Sequence, residues 1–130
     1  MNLASTRIVT TNVRSLAEFY ATITGVAPVY GSEEFAELRT ATGTLAINSV
    51  RSSDRYGAGA GAATPGSNRS VVIEFMVDDV DAERERLRPL VARCELEPTN
   101  QPWGNRSMLF RDPDGNLIDF YKPLKREAAE

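Results

Sequence analysis

The chemistry open to this 130-residue chain rests on carboxylates and arginine, because it contains no histidine and a single cysteine, Cys94. Asp119 lies near the end of the stretch RDPDGNLIDFY, in which strand alternation puts Leu117, Asp119 and Tyr121 on one face and Ile118 and Phe120 on the other. Glu74 shares a face with Val72 and Met76, and Arg7 shares one with Ser5 and Val9. A carboxylate among bulky neighbours can ligate a hard cation, act as a general acid or base, or pair with a cationic group. A buried charge is costly unless paired, so Arg7, Glu74 and Asp119 have two readings: a satisfied ion network in a packed interior, or the polar lining of a ligand site.

Several chemistries are excluded. Without histidine there is no Ser-His or Cys-His nucleophile pair, no ordinary base near neutral pH and no two-His-one-carboxylate iron site. One cysteine builds neither an intrachain disulfide nor a thiolate cluster, and Cys94 reads as a buried small hydrophobe. The Gly-x-Gly pattern of GAGAGAATPG, residues 57–66, opens no helix and lacks the Lys-Ser/Thr ending, so it is not a phosphate loop. A formal charge of −3 gives no basic footprint for nucleic acid. No apolar run approaches the roughly 18 residues of a membrane span, and the N-terminus has no signal-like apolar segment, so the expected location is the cytoplasm. Trp103, between Pro102 and Gly104, is either a core anchor or a cleft wall able to stack on a planar ligand; Arg106 is a surface residue or an anion contact.

The elements that must position these groups follow from periodicity. Thr6 to Thr11 predicts a strand, and Leu16, Phe19, Tyr20 and Ile23 predict a helix entered at Asn12 or Ser15 and stopped by Gly25. Val26 to Gly31, Phe35 to Thr40 and Gly43 to Val50 predict three short strands. Ser70 to Val77 predicts another strand, followed by a helix from Asp81 to about Val91. That helix has Val80, Leu87 and Leu90 as its apolar stripe and Glu83, Arg84, Glu85 and Arg86 as its solvated face. Cys94 to Pro98 predicts a short strand, 99–105 a loop, and Asp112-Pro113-Asp114-Gly115 a tight turn between two final antiparallel strands.

The order strand, helix, three strands therefore occurs twice, about 70 residues apart. Thr10-Thr11-Asn12-Val13 corresponds to Val77-Asp78-Asp79-Val80, and Leu38-Arg39…Gly43-Thr44-Leu45 to Phe110-Arg111…Gly115-Asn116-Leu117. The expected organisation is one domain: a module over about 3–50, a Gly/Ala/Ser-rich linker over about 51–69, a second module over about 70–122 and a polar tail at 123–130.

The DPDGN hairpin with its Ile118-Asp119-Phe120, together with SLAEFY and the VDDVDA helix entry, resembles the glyoxalase, bleomycin-resistance and extradiol dioxygenase superfamily, also called vicinal oxygen chelate. The resemblance covers nearly the whole chain. It implies an α+β fold of two tandem βαβββ modules forming a curved, cup-like mixed sheet with helices on the outer face, and pairing into a homodimer. In metal-dependent members the acidic residue four places after the turn glycine is a ligand, and Asp119 stands there. The remaining ligand places, carried over by spacing, fall on Ser5, Ile47 and Val72. Two of these are hydrocarbons, so neither a metal nor another cofactor is expected.

The function implied is that of a non-catalytic, small-molecule-binding member, similar to the antibiotic-sequestering ones. It would hold an organic ligand with Arg7, Glu74, Asp119, Trp103, Met108 and Tyr121, without nucleic acid or membrane as partner. The alternative is a lyase, isomerase or dioxygenase-type enzyme using Asp119 or Glu74, with or without a hard divalent ion.

Overall fold

A computed structural model describes residues 1–56 and 63–125, which fall into two units, Met1–Asn68 and Arg69–Glu130. The first unit runs β1 (Ser5–Thr10), α1 (Val13–Thr24), β2 (Val29–Ser32), β3 (Phe35–Arg39), β4 (Thr44–Ser49) and α2 (Val50–Tyr56). Its sheet has the order β1-β4-β3-β2, with β1 and β4 parallel and the other pairs antiparallel. Asn12 caps α1, its Oδ1 accepting from the Ser15 amide at 3.0 Å, and Gly25 ends the helix at φ 72°, donating to the Ala21 carbonyl at 2.9 Å. Val13, Leu16, Ala17, Tyr20 and Ile23 form the buried helical stripe that packs on β3 and β4, over Ala36, Leu38, Leu45 and Ile47.

The second unit runs β5 (Val72–Met76), α3 (Val80–Leu87), β6 (Leu96–Asn100), β7 (Asn105–Arg111) and β8 (Leu117–Pro123). The sheet order is β5-β8-β7-β6, again with its first pair parallel and the rest antiparallel. Asp79 caps α3 through Oδ1, which accepts from the Ala82 amide at 3.0 Å. Three aromatics seal the helix-facing side of the sheet, Phe110 and Phe75 each meeting Phe120 edge-on at centroid distances of 5.2 and 5.8 Å. Two four-stranded mixed sheets with helices make this the expected α+β fold with the βαβββ order in each unit.

Four expectations are corrected, the last of them at Ile47. The stretch read as a linker from residue 51 begins with α2, which lies on β4 and β1; Ser49 starts it by accepting from the Ser52 amide through Oγ at 3.0 Å. Residues 57–62 of that linker, and 126–130 of the polar tail, lie outside the described residues. Helix α3 stops at Leu87 rather than near Val91, because Pro89 has no N–H to offer the Glu85 carbonyl, which takes the Arg88 amide at 3.3 Å instead.

The third correction concerns Arg84, expected on a solvated face but only 2% exposed. Its guanidinium grips Glu97 with two bonds of 2.7 and 3.1 Å and donates to the Val91 carbonyl at 2.8 Å and that of Ala92 at 3.4 Å. One side chain thus ties α3 to the loop and strand that follow it.

The turn between β7 and β8 is built by Asp112. Its Oδ1 accepts from the amides of Asp114 and Asn116, both at 2.9 Å, and its Oδ2 from the Asn116 side-chain amide at 2.9 Å. Gly115 supplies the φ of 89° that closes the reversal. This turn spans residues 112–116, one more than the 40–43 connection between β3 and β4. That extra residue shifts the correspondence between the units: Thr44 faces Arg39 as Leu117 faces Arg111, so the counterpart of Asp119 is Ala46. Ile47, carried over as a ligand place, lies on the opposite, helix-facing side with no exposure, because a one-residue offset turns a strand side chain to the other face.

Candidate functional site

In the second unit, the face of the sheet turned away from the aromatic core carries the chemistry. The register aligns Glu74 of β5, Asp119 of β8, Leu109 of β7 and Leu96 of β6 in one row. On one side of it stand Met76, Tyr121, Ser107 and Thr99, and on the other Val72, Leu117 and Arg111. Two carboxyl groups are therefore neighbours across a parallel strand pair, flanked by hydrocarbon. Val72 is 42% and Met76 66% exposed, a costly surface for two apolar side chains on an otherwise ordered strand.

Asp119 is only 9% exposed, and its Oδ1 is buried with no hydrogen-bond partner among the described residues. Glu74 stands directly across from it in the β5–β8 register. Burial first, and then the Glu74 carboxylate, push the Asp119 carboxyl up from an ordinary 3.8 to about 7. No lysine or arginine within this unit's described residues forms an ion pair with either group. The nearest candidate on the same face, Arg111, is turned to Glu95 at 3.5 Å and to the Gly115 carbonyl at 3.0 Å. The arrangement can accept a cation or a hydrogen-bond donor, or hold a proton between two carboxyl groups and give it up near neutral pH.

Of the residues singled out in the sequence, the structure brings together Glu74, Asp119 and Tyr121. Met108 pairs with Phe120 on the helix-facing side and is fully buried there. Trp103 sits in the turn between β6 and β7, 70% exposed; Asn105, where β7 starts, is four residues from Leu109 in the Asp119 row, about 13 Å along the strand. Arg106 is held by Asp81 through two bonds of 2.8 Å and by the Asn100 Oδ1 at 3.0 Å, fastening α3 to β7. Cys94 is half-buried, and that burial raises its thiol pKa. Val72, Met76 and Leu117 join the face as apolar neighbours of the carboxyl pair. Their signal was the same alternation that placed Glu74 and Asp119.

Arg7 belongs to the first unit, on β1 beside Ala46, in a row that continues to Glu37 and Val29. It is exposed and makes no ion pair among the described residues. Glu37 is engaged by Arg39 at 3.1 Å.

A borderline metal ion wants imidazole or thiolate nitrogen and sulfur, and a hard ion wants about six oxygens. The four ligand places of the fold hold a hydroxyl at Ser5, a methyl at Ala46, an isopropyl at Val72 and a carboxyl at Asp119. Among the described residues no group of three His, Cys, Asp or Glu side chains gathers to hold an ion. The residues present do not fit the metal centre the resemblance implies.

Comparison with known proteins agrees with this fold. The family model described as Glyoxalase/Bleomycin resistance protein/Dioxygenase superfamily matches residues 2–120. Among curated proteins, the uncharacterized protein YraH of Bacillus subtilis (strain 168) is 41% identical over 54 residues, 41% of this chain and 42% of that protein, so the match spans less than half of the relative's length. Among solved structures, a glyoxalase/bleomycin resistance protein/dioxygenase family enzyme from Burkholderia phytofirmans PsJN has a TM-score of 0.82 at 18% identity, covering 95% of this chain and 100% of that one. A glyoxalase/bleomycin resistance protein/dioxygenase from Nocardioides has a TM-score of 0.79 at 21% identity, covering 100% of this chain and 89% of that one.

Proposed function

This chain belongs to the glyoxalase/bleomycin resistance protein/dioxygenase superfamily, and from that premise we propose that it binds a small organic molecule without a conventional metal centre, on the second sheet's face around Glu74 and Asp119. The observation that carries this reading is the buried, unpartnered Oδ1 of Asp119 on a face whose Val72 and Met76 side chains are left in water. Each feature costs stability: an unsatisfied buried oxygen about 1–3 kcal/mol, and exposed hydrocarbon the transfer energy it forgoes. Apolar walls around a few convergent polar groups are the usual composition of a ligand site. The test is a two-dimensional NMR titration with aromatic and aliphatic molecules of all three charge types, alongside the Met76→Gln variant, which removes apolar surface without adding charge. Shifts clustering on 72–76 and 117–121, and lost in the variant, support the reading. A panel in which no molecule perturbs these residues overturns it.

A second reading is favoured by one observation. A carboxyl that titrates near 7 is matched to general acid–base work, so a lyase, isomerase or dioxygenase-type reaction using Asp119 is the enzymatic alternative. It predicts turnover with a pH profile inflecting near 7 and abolished in Asp119→Asn.

We also propose that the chain works as a homodimer in the cytoplasm. Supporting this are the end positions of β1, β2, β5 and β6 in the two sheet orders, the lack of any second cysteine, and the absence among the described residues of a helix long and apolar enough to cross a membrane. Light scattering that shows a monomer at high concentration would count against the dimer.

A further inference from the structure

We propose that the ligand is an organic cation, a protonated amine, amidine or guanidine on an apolar body, with its charged head between Glu74 and Asp119. The inference rests on the binding reading above and names the chemical class that the same face would take.

Two carboxyl groups side by side repel when both are ionised, and neither forms an ion pair with a lysine or arginine among the described residues of its unit. The unpartnered Oδ1 of Asp119, on a side chain more than nine-tenths buried, shows that the site is short of a donor rather than of an acceptor. A neutral hydrogen-bond donor would satisfy that oxygen and leave the charge repulsion in place. An anion would add to it. A cation with two or more N–H groups answers both at once, giving charge-assisted bonds to two acceptors. A bare divalent ion answers the charge but needs about six oxygens, and Val72 and Leu117 fill the adjacent positions with hydrocarbon.

Access to the head site is through Glu74. Asp119 is short and fixed on β8, inside the sheet, whereas Glu74 is exposed and stands on β5 at the sheet's edge, with one more rotatable bond. Turning its side chain aside uncovers the Asp119 carboxyl without moving a strand. The body of the ligand then lies over Val72, Met76 and Tyr121. The exposed methionine supplies an adaptable surface, and the tyrosine ring an aromatic face that attracts a cation.

The experiment uses the full chain and three isosteric sets: benzylamine and benzamidine as cations, benzyl alcohol and benzamide as neutral molecules, and benzoate as the anion. Affinities are read by NMR titration at about pH 8, where Asp119 is mostly ionised. The expected result is cation binding at least about tenfold tighter than either other class, weakened about tenfold or more in both Glu74→Gln and Asp119→Asn. Circular dichroism confirms that the variants fold, and Glu74→Gln, on an exposed edge position, keeps the test available if Asp119→Asn does not. Neutral or anionic molecules binding this face as tightly as the cations would overturn the inference while leaving the binding reading intact. Binding by none of the molecules would sink both. Stoichiometric uptake of magnesium, manganese or zinc ion at these two carboxylates, with amines unable to compete, would also overturn it.

Discussion

Replacing Asp119 by asparagine keeps its size and removes its charge, and the effect on stability depends on pH in a calculable way. In the folded chain this carboxyl is raised from 3.8 to about 7, by burial and then by Glu74. The folded protein therefore keeps a proton that the unfolded chain has released, throughout the window between about pH 4 and pH 7. For an acid with a raised value the sign is fixed: stability is greatest below the unfolded value, falls as pH climbs, and levels off once the folded group ionises near 7. At about 1.4 kcal/mol for each pH step, the full loss is about 4 kcal/mol. Roughly 1.5 kcal/mol of it is already gone at about pH 5, leaving about 2.5 kcal/mol between about pH 5 and pH 8. Water around the exposed Glu74 screens the pair, so about 1–2.5 kcal/mol is expected. Urea unfolding of parent and Asp119→Asn at the two pH values measures it, and the variant should be the more stable protein at the higher pH with a flatter dependence between them. If the parent and the variant change equally between the two pH values, Asp119 is an ordinary ionised surface acid and the burial argument is wrong.

Two further variants test the scaffold that holds the face in place. Arg84→Ala removes four hydrogen bonds and leaves the carbonyls of Val91 and Ala92 without their donor; the expected loss is about 2–4 kcal/mol by urea unfolding, with Glu97→Gln costing less because Glu97 is largely in solvent. Asp112→Ala deletes at least the three bonds to Asp114 and Asn116, and a loss of about 2–3 kcal/mol is expected, with fast amide exchange appearing first at Asp114 and Asn116.

How much of this was legible in the sequence depended on whether local chemistry decided it. The Gly25 stop and the DPDGN reversal are local devices that act where their residue types predict, and of the two caps offered for the first helix, Asn12 or Ser15, the structure uses Asn12. The face shared by Leu117, Asp119 and Tyr121 followed from strand alternation alone. Ile47 was misplaced because matching the units by their turn glycines hid the extra residue in 112–116, and in a strand one residue is a whole face. Arg84 could have been found: Val80, Arg84 and Leu87 stand at i, i+4 and i+7, so the arginine lies in the apolar stripe. Its charge outweighed its position because its partners, Glu97 and two carbonyls of the following loop, are tertiary. The orphaned Oδ1 of Asp119 had no signal at all, since it depends on which groups of other strands fail to reach it.

The corrected register also shows where the two units have diverged. On their helix-facing sides, Ile8, Ile47 and Ala36 stand where Phe75, Phe120 and Met108 stand, and Leu45 and Leu38 where Ile118 and Phe110 stand. The two series differ in volume but keep the same apolar character, as a close-packed layer against a helix demands. On the other face the matched positions change character: Arg7 becomes Glu74, Ala46 becomes Asp119, and Glu37 becomes Leu109. A change of charge sign is not a volume-conserving repacking of the kind seen on the helix-facing sides. The constraint that kept one face uniform is the core. The other face differs between the units: in the second it holds two acids and exposed hydrocarbon where the first has a cation and a methyl group.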